Sequence, residues 1–176
     1  MGFQYLFWGF LFRLISFPVY GFNIPPAFIS YILFIIGLNR LIEYSDRFAT
    51  SRTLSIILLV LSIFEIYTPS KDISSTFDLL NLINIASGIV NLMLIYQLCK
   101  GVAEVALSRD EHQLMETAIL RWKLYIWGFV GFIASFFLVF AAPILGGLLV
   151  IATMIYVFII HCLLMGLMRK ASRLIQ

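Results

Sequence analysis

The chain has 176 residues, 62% of them apolar or aromatic and only 12% charged, against about 45–50% and 25% in an average soluble domain. These proportions exclude an ordinary water-soluble globule, and 17 Phe with 8 Tyr, 5 Pro and 2 Cys exclude a disordered tail and a disulfide scaffold as well. A net charge of +3 is too small to point to nucleic acid, so the lipid bilayer is the expected partner and the placement of the charges says more than their sum.

A membrane-crossing helix needs about 20 mostly apolar residues. Six such stretches are predicted, at about 3–20, 27–44, 48–67, 77–98, 122–142 and 144–168. Gly21, Pro25 and Pro26 forbid helix continuation after the first. The third carries Arg52 near its start, and its uninterrupted apolar core is short enough for a buried helix that does not cross. Thr68 to Asp72 form a polar loop, and Pro143 alone separates the fifth stretch from the sixth, which predicts a tight helical hairpin. The expected fold is therefore all-α and polytopic: one transmembrane domain, a bundle of six transmembrane helices.

Charge placement supports six crossings over five, because short loops rich in Lys and Arg stay in the cytoplasm. Arg40, Arg47 and Arg52 flank the second loop; Lys100, Arg109, Arg121 and Lys123 flank the fourth; Arg169, Lys170 and Arg173 follow the sixth stretch. The opposite side has only Lys71, and Arg13 lies inside the first stretch. Both termini are thus expected in the cytoplasm, and the expected location is the cell membrane. The first stretch lacks a basic leader and a small-residue cleavage site, which predicts a retained span. Cys99 and Cys162 fall toward the cytoplasmic ends of their spans, where a disulfide is not expected.

Residues 100–121 are the one substantial polar stretch, and Val102, Val105, Leu107, Leu114, Met115 and Ala118 recur in it at helical spacing. Ser108 and Glu111 have the spacing of a capping box. The pattern predicts a short cytoplasmic helical stalk between spans four and five, turning near Ser108. As a connector it needs no further role; as an exposed surface it would dock another membrane or cytoplasmic protein.

No enzymatic motif is present: the chain lacks H-E-x-x-H, a P-loop, G-x-S-x-G and C-x-x-C. With His112 and His161 as its only histidines it cannot build a multi-histidine metal site, and no cofactor is expected. The informative residues are the polar ones inside the spans, where ionisable groups are costly and face the protein interior. Arg13 lies about ten residues into the first span. In the fourth, Asn81, Asn84, Ser87, Gly88 and Asn91 fall within an arc of roughly 120° at 100° per residue, a face suited either to helix packing or to lining a cavity, with Asp78 and Glu65 at its mouth. Arg13, Asn81, Asn84 and Asn91 are the candidate binding residues, and Arg13 is expected to face the Asn stripe. His161 is a lone intramembrane histidine for which a hydrogen bond within the bundle is the plainer reading.

Trp8-Gly9-Phe10 and Trp127-Gly128-Phe129 are each followed at the same spacing by Ser-Phe, at Ser16-Phe17 and Ser135-Phe136; in so Phe-rich a chain coincidence accounts for the match. The segment Gly21-Phe22-Asn23-Ile24-Pro25-Pro26-Ala27-Phe28-Ile29-Ser30-Tyr31, continuing to Gly37-Leu38-Asn39-Arg40-Leu41, resembles a turn-and-helix signature, Gly-x-Asp-Ile-Leu-Pro-Asp-Phe-Ile-Gly-Tyr, of small uncharacterised multi-pass membrane proteins of Gram-positive bacteria. Asn23 and Ala27 stand where that signature has acids, and Ser30 where it has Gly. The resemblance implies a bacterial inner membrane and transfers no site. In size and topology alone the chain also resembles the substrate-binding subunits of energy-coupling-factor transporters, although its Phe-crowded first span lacks their small-residue docking motif. The expected role is a non-catalytic accessory or interaction subunit; the alternative is a small-solute binding or transport component using a polar cavity lined by Arg13 and the Asn stripe.

Overall fold

The computed structural model describes residues 2–15, 26–66 and 79–175. In chain order these form α1 (Gly2–Ile15), α2 (Pro26–Asn39), a 3-10 turn (Ile42–Tyr44), α3 (Asp46–Ile66), α4 (Leu79–Ser108), α5 (His112–Ala141) and α6 (Pro143–Leu174). The described chain is all-α. Three stretches, Leu82–Ser108, His112–Ala141 and Pro143–Leu174, are long and apolar enough to cross a membrane, and Ala27–Asn39 is a shorter apolar helix. With 30 and 32 residues at 1.5 Å rise, α5 and α6 are about 45 and 48 Å long. That exceeds a hydrocarbon core of about 30 Å, so each has turns to spare for a polar end. The Gly21–Pro25 turn, the Thr68–Asp72 loop and Asp78 lie outside the described residues.

Each helix packs against its neighbours in sequence, and α1 packs against α6, so the six close into a ring. Neighbours run antiparallel: Gly2 lies against Gly37 and Gly9 against Phe34, Phe48 against Gly101, Gly131 against Thr153, and Asn91 bonds Tyr125. The starts of α1, α3 and α5 therefore share one end of the ring with the ends of α2, α4 and α6. The middle is not a pore. Phe10, Phe34, Leu38, Leu94, Ile95 and Leu98 fill it and leave no room for a water molecule.

Small residues set the closest helix approaches, as expected where lipid is as apolar as the core and packing decides association. On α1, Gly2 and Gly9 are seven residues apart, as are their counterparts Ser30 and Gly37 on α2. The Ser30 hydroxyl, fully buried, donates to the Gly9 carbonyl at 2.8 Å. A Cβ on Gly9 would come within 2.6 Å of the Phe34 ring, and one on Gly128 within 3.1 Å of the Tyr156 ring on α6. Both glycines of the repeated Trp-Gly-Phe thus admit an aromatic ring from the following helix. The α5–α6 hairpin is tight, as Pro143 predicts: Pro143 opens α6, and a Cβ on Gly146 would lie 2.5 Å from the Val139 backbone.

At the turn of the stalk the capping differs from expectation. No capping box forms at its turn: Ser108 is the last residue of α4, its hydroxyl donating back to the Val105 carbonyl, and α5 starts at His112 with no side-chain cap. Instead the Glu111 amide donates to the Ala106 carbonyl at 2.9 Å and the Asp110 amide to the Leu107 carbonyl at 3.2 Å. Asp110 takes φ 64. This is a Schellman closure, with an aspartate where glycine is commonest; it satisfies the end of α4 and leaves Ser108 no amide to cap. The stalk packs into this end of the bundle. Val102, Val105, Ala106, Leu114 and Ala118 are buried, and a Cβ on Gly101 would touch the Phe48 ring.

Polar bonds join α3 to this end of α4. Arg47 Nε donates to Glu104 at 3.0 Å, its Nη1 to Gln97 at 3.1 Å, and the Ser45 hydroxyl to Glu104 at 2.8 Å. The Ser45 hydroxyl, with Arg47 beside it, holds the Glu104 carboxyl below the ordinary carboxylate range. The pair is largely exposed and contributes only about 0–1 kcal/mol, so it fixes register more than it stabilises. Arg52 donates to the Asn39 side chain at 2.9 Å. Cys99 is buried, Cys162 is exposed, and both are free thiols.

Candidate functional site

Five helices deliver polar side chains to the bundle interior at about the depth of Arg13. Arg13 Nη1 donates to the Tyr31 hydroxyl on α2 at 3.1 Å, and its guanidinium lies 5.5 Å from the Tyr31 ring centre. Tyr31 is only 6% exposed. On the far side of the ring Asn91 of α4, 7% exposed, donates from Nδ2 to the Tyr125 hydroxyl of α5 at 2.6 Å; its Oδ1 has no partner among the described residues. The Tyr125 ring lies 6.2 Å from that of His161 on α6, which is 6.4 Å from the Phe10 ring. His161 Nδ1 donates to the Val157 carbonyl at 2.8 Å. That bond occupies Nδ1, so Nε2 accepts a hydrogen bond when the ring is neutral and donates one when it is charged.

Arg13, Tyr125, His161 and Thr153 line one cavity of about 340 Å³. Its remaining wall is apolar: Leu14, Phe132, Met154, Val157 and Phe158. Met154 is 54% exposed and Phe158 43%, so the wall they form is also part of the outer surface of the bundle. The cavity therefore reaches the apolar flank of α6. Among the described residues no carboxylate lines it. Such a site holds a fixed positive charge and hydroxyl groups at its inner end and hydrocarbon at its mouth, which suits a molecule with an anionic head and an apolar body.

The candidate residues from the sequence are distributed as follows. Arg13 and Asn91 belong to the interior cluster, linked through the tyrosines and not directly: α1 packs on α2 and α6, α4 on α3 and α5, so the two helices face each other across the ring. Asn84 is exposed, and the side chains of Asn81 and Glu65 are outside the described residues. The polar stripe thus turns inward at Asn91, while Leu82, Ile85, Ile89 and Met93 around it are exposed. Tyr31, Tyr125 and Thr153 are members that the sequence reading missed. Their signal is depth: Tyr31 lies eight residues before the end of α2, about 12 Å along the helix, too deep for an anchor at a membrane interface. Among the described residues no group of three His, Cys, Asp or Glu could hold a metal ion. Comparison with protein-family models, curated proteins and solved structures finds no match.

Proposed function

We propose that the chain is a multi-pass protein of the cell membrane, crossing six times with both ends in the cytoplasm, that binds a small amphiphilic anion at Arg13. One observation carries the binding reading: a cavity of about 340 Å³ with Arg13, Tyr125, His161 and Thr153 at its inner end and a mouth on the apolar flank. The ring supports the topology, since it gathers at one end all the turns and helix ends that carry Arg40, Arg47, Lys100, Arg109 and Arg169, as the positive-inside rule requires of a cytoplasmic face. After Cys99 and Cys162 are replaced, an impermeant thiol reagent applied to intact cells should label Ser70→Cys and spare Ser108→Cys. The reverse pattern would invert the topology.

Octanoate and octanol, equal in length, test the site. The purified full chain should bind octanoate about tenfold or more tightly than octanol, because a hydrogen bond to a charged group is worth about 1.5–3 kcal/mol. Arg13→Gln should erase that preference and leave thermal unfolding little changed, since interhelical bonds in membranes average about 0.6 kcal/mol. Asn84→Leu should leave the preference intact. Equal affinity of the unaltered protein for the two probes refutes the proposal. A second reading, an accessory subunit docking through the stalk, is favoured by the exposure of Leu107 and Leu120; native mass spectrometry separates the two, one retaining a small molecule and the other a protein chain.

A further inference from the structure

At the turn-bearing end of the ring, the start of α1 and the end of α6 leave between them a groove of about 600 Å³. Gln4 and Trp8 form one edge and Arg169 and Arg173 the other; Phe3 and Ser172, both buried, form the floor. Each edge pair is spaced four residues, about 6 Å along its helix, so the two edges present paired groups in step. All four edge residues are exposed. Among the described residues no carboxylate lines the groove and neither arginine is in an ion pair. Two guanidinium groups one turn apart can share the oxygens of one phosphate. An indole and two phenyl rings (Phe3, Phe7) beside them give the apolar contact that a glycerol backbone and the first acyl carbons need, and tryptophan favours the headgroup level of a bilayer.

From this arrangement we infer that the α1–α6 groove is a binding site for the phosphate headgroup of an anionic phospholipid, the headgroup between Arg169 and Arg173 and the chains running down past Trp8. The inference rests on the reading that this end of the bundle meets a membrane surface, which the cysteine-labelling experiment tests separately. It is independent of the Arg13 cavity: that cavity lies about 15 Å deeper along α1 by helix rise from the Phe3 level. Basic pockets between helices at the cytoplasmic level suit such headgroups on general electrostatic grounds.

The test uses the full chain in mild detergent, titrated with dihexanoyl phosphatidylglycerol, dihexanoyl phosphatidylcholine and inorganic phosphate, with bound adducts counted by native mass spectrometry. One phosphatidylglycerol should bind at least tenfold more tightly than either of the others. The Arg169→Gln/Arg173→Gln double variant should lose that margin, and Arg169→Lys/Arg173→Lys, which keeps the charge, should retain most of it. Trp8→Ala should weaken phosphatidylglycerol without restoring phosphate. Should the glutamine variant fail to fold, the lysine and Trp8 variants still decide the matter. Equal binding of the two lipids, an unchanged glutamine variant, or phosphate binding as tight as phosphatidylglycerol each overturns the assignment; the last would leave an anion site with no lipid character.

Discussion

Gly37→Leu should destabilise the protein by about 3 kcal/mol, the upper end of the usual range for overpacked interiors. A Cβ there would sit 2.8 Å from the Gly2 carbonyl oxygen, 3.0 Å from the Tyr5 Cβ and 3.2 Å from the Leu6 Cδ2. Two of those neighbours are backbone or the root of a side chain, so rotamer changes cannot relieve the clash and α1 must move off α2. The contrast is Gly166→Ala: nothing lies within 4 Å of its added Cβ, and alanine is the better helix former by about 1 kcal/mol. Thermal unfolding in detergent should therefore shift strongly downward for the first and slightly upward for the second. Equal shifts would show that the α1–α2 approach does not limit stability.

Phe34→Ala should cost about 3 kcal/mol, the low end of the range for a buried Phe→Ala. The low end applies because lipid is itself apolar, so lost packing and not lost transfer energy makes up the penalty. Phe34 is 2% exposed, its ring lies 4.9 Å from that of Phe10, and it fills the space beside Gly9. Gly9→Leu alone should destabilise by driving its side chain into that ring. Combined with Phe34→Ala, it should recover about 1 kcal/mol or more, since the new side chain enters the volume the ring leaves. A double-mutant cycle on unfolding free energies reads this coupling; strict additivity would show that the two residues do not share that space.

Much of the architecture could be read from the residues, because the runs of apolar side chains are long and their interruptions are unambiguous. Pro143 falls at the start of α6, and Asp46, Leu79 and His112 open helices within a few residues of expectation or at the stalk turn. The facing of each helix was not legible to the same degree. A helix apolar on every side carries little amphipathic signal, so nothing in α2 marks Tyr31 as the partner of Arg13, and nothing in α5 marks Tyr125 as the partner of Asn91. In α4 a polar arc was visible, yet the packing of its neighbours turns Asn91 inward and leaves Asn84 outside. At the stalk turn, Ser108 and Glu111 matched a local pattern for a helix start, and the Schellman closure of α4, which depends on Asp110 accepting a left-handed backbone, took precedence.

The closure of the ring by α1 on α6 imposes an order on assembly. α6 begins roughly 130 residues after α1 ends, a delay on the order of 10 s at common rates of synthesis. Throughout that interval α1 lacks the neighbour that closes the ring. Arg13 meets one bonding partner, Tyr31, on the very next helix, within the time needed to make one hairpin. The tyrosine that holds the arginine in the finished protein therefore precedes Tyr125 and His161 in order of synthesis as well.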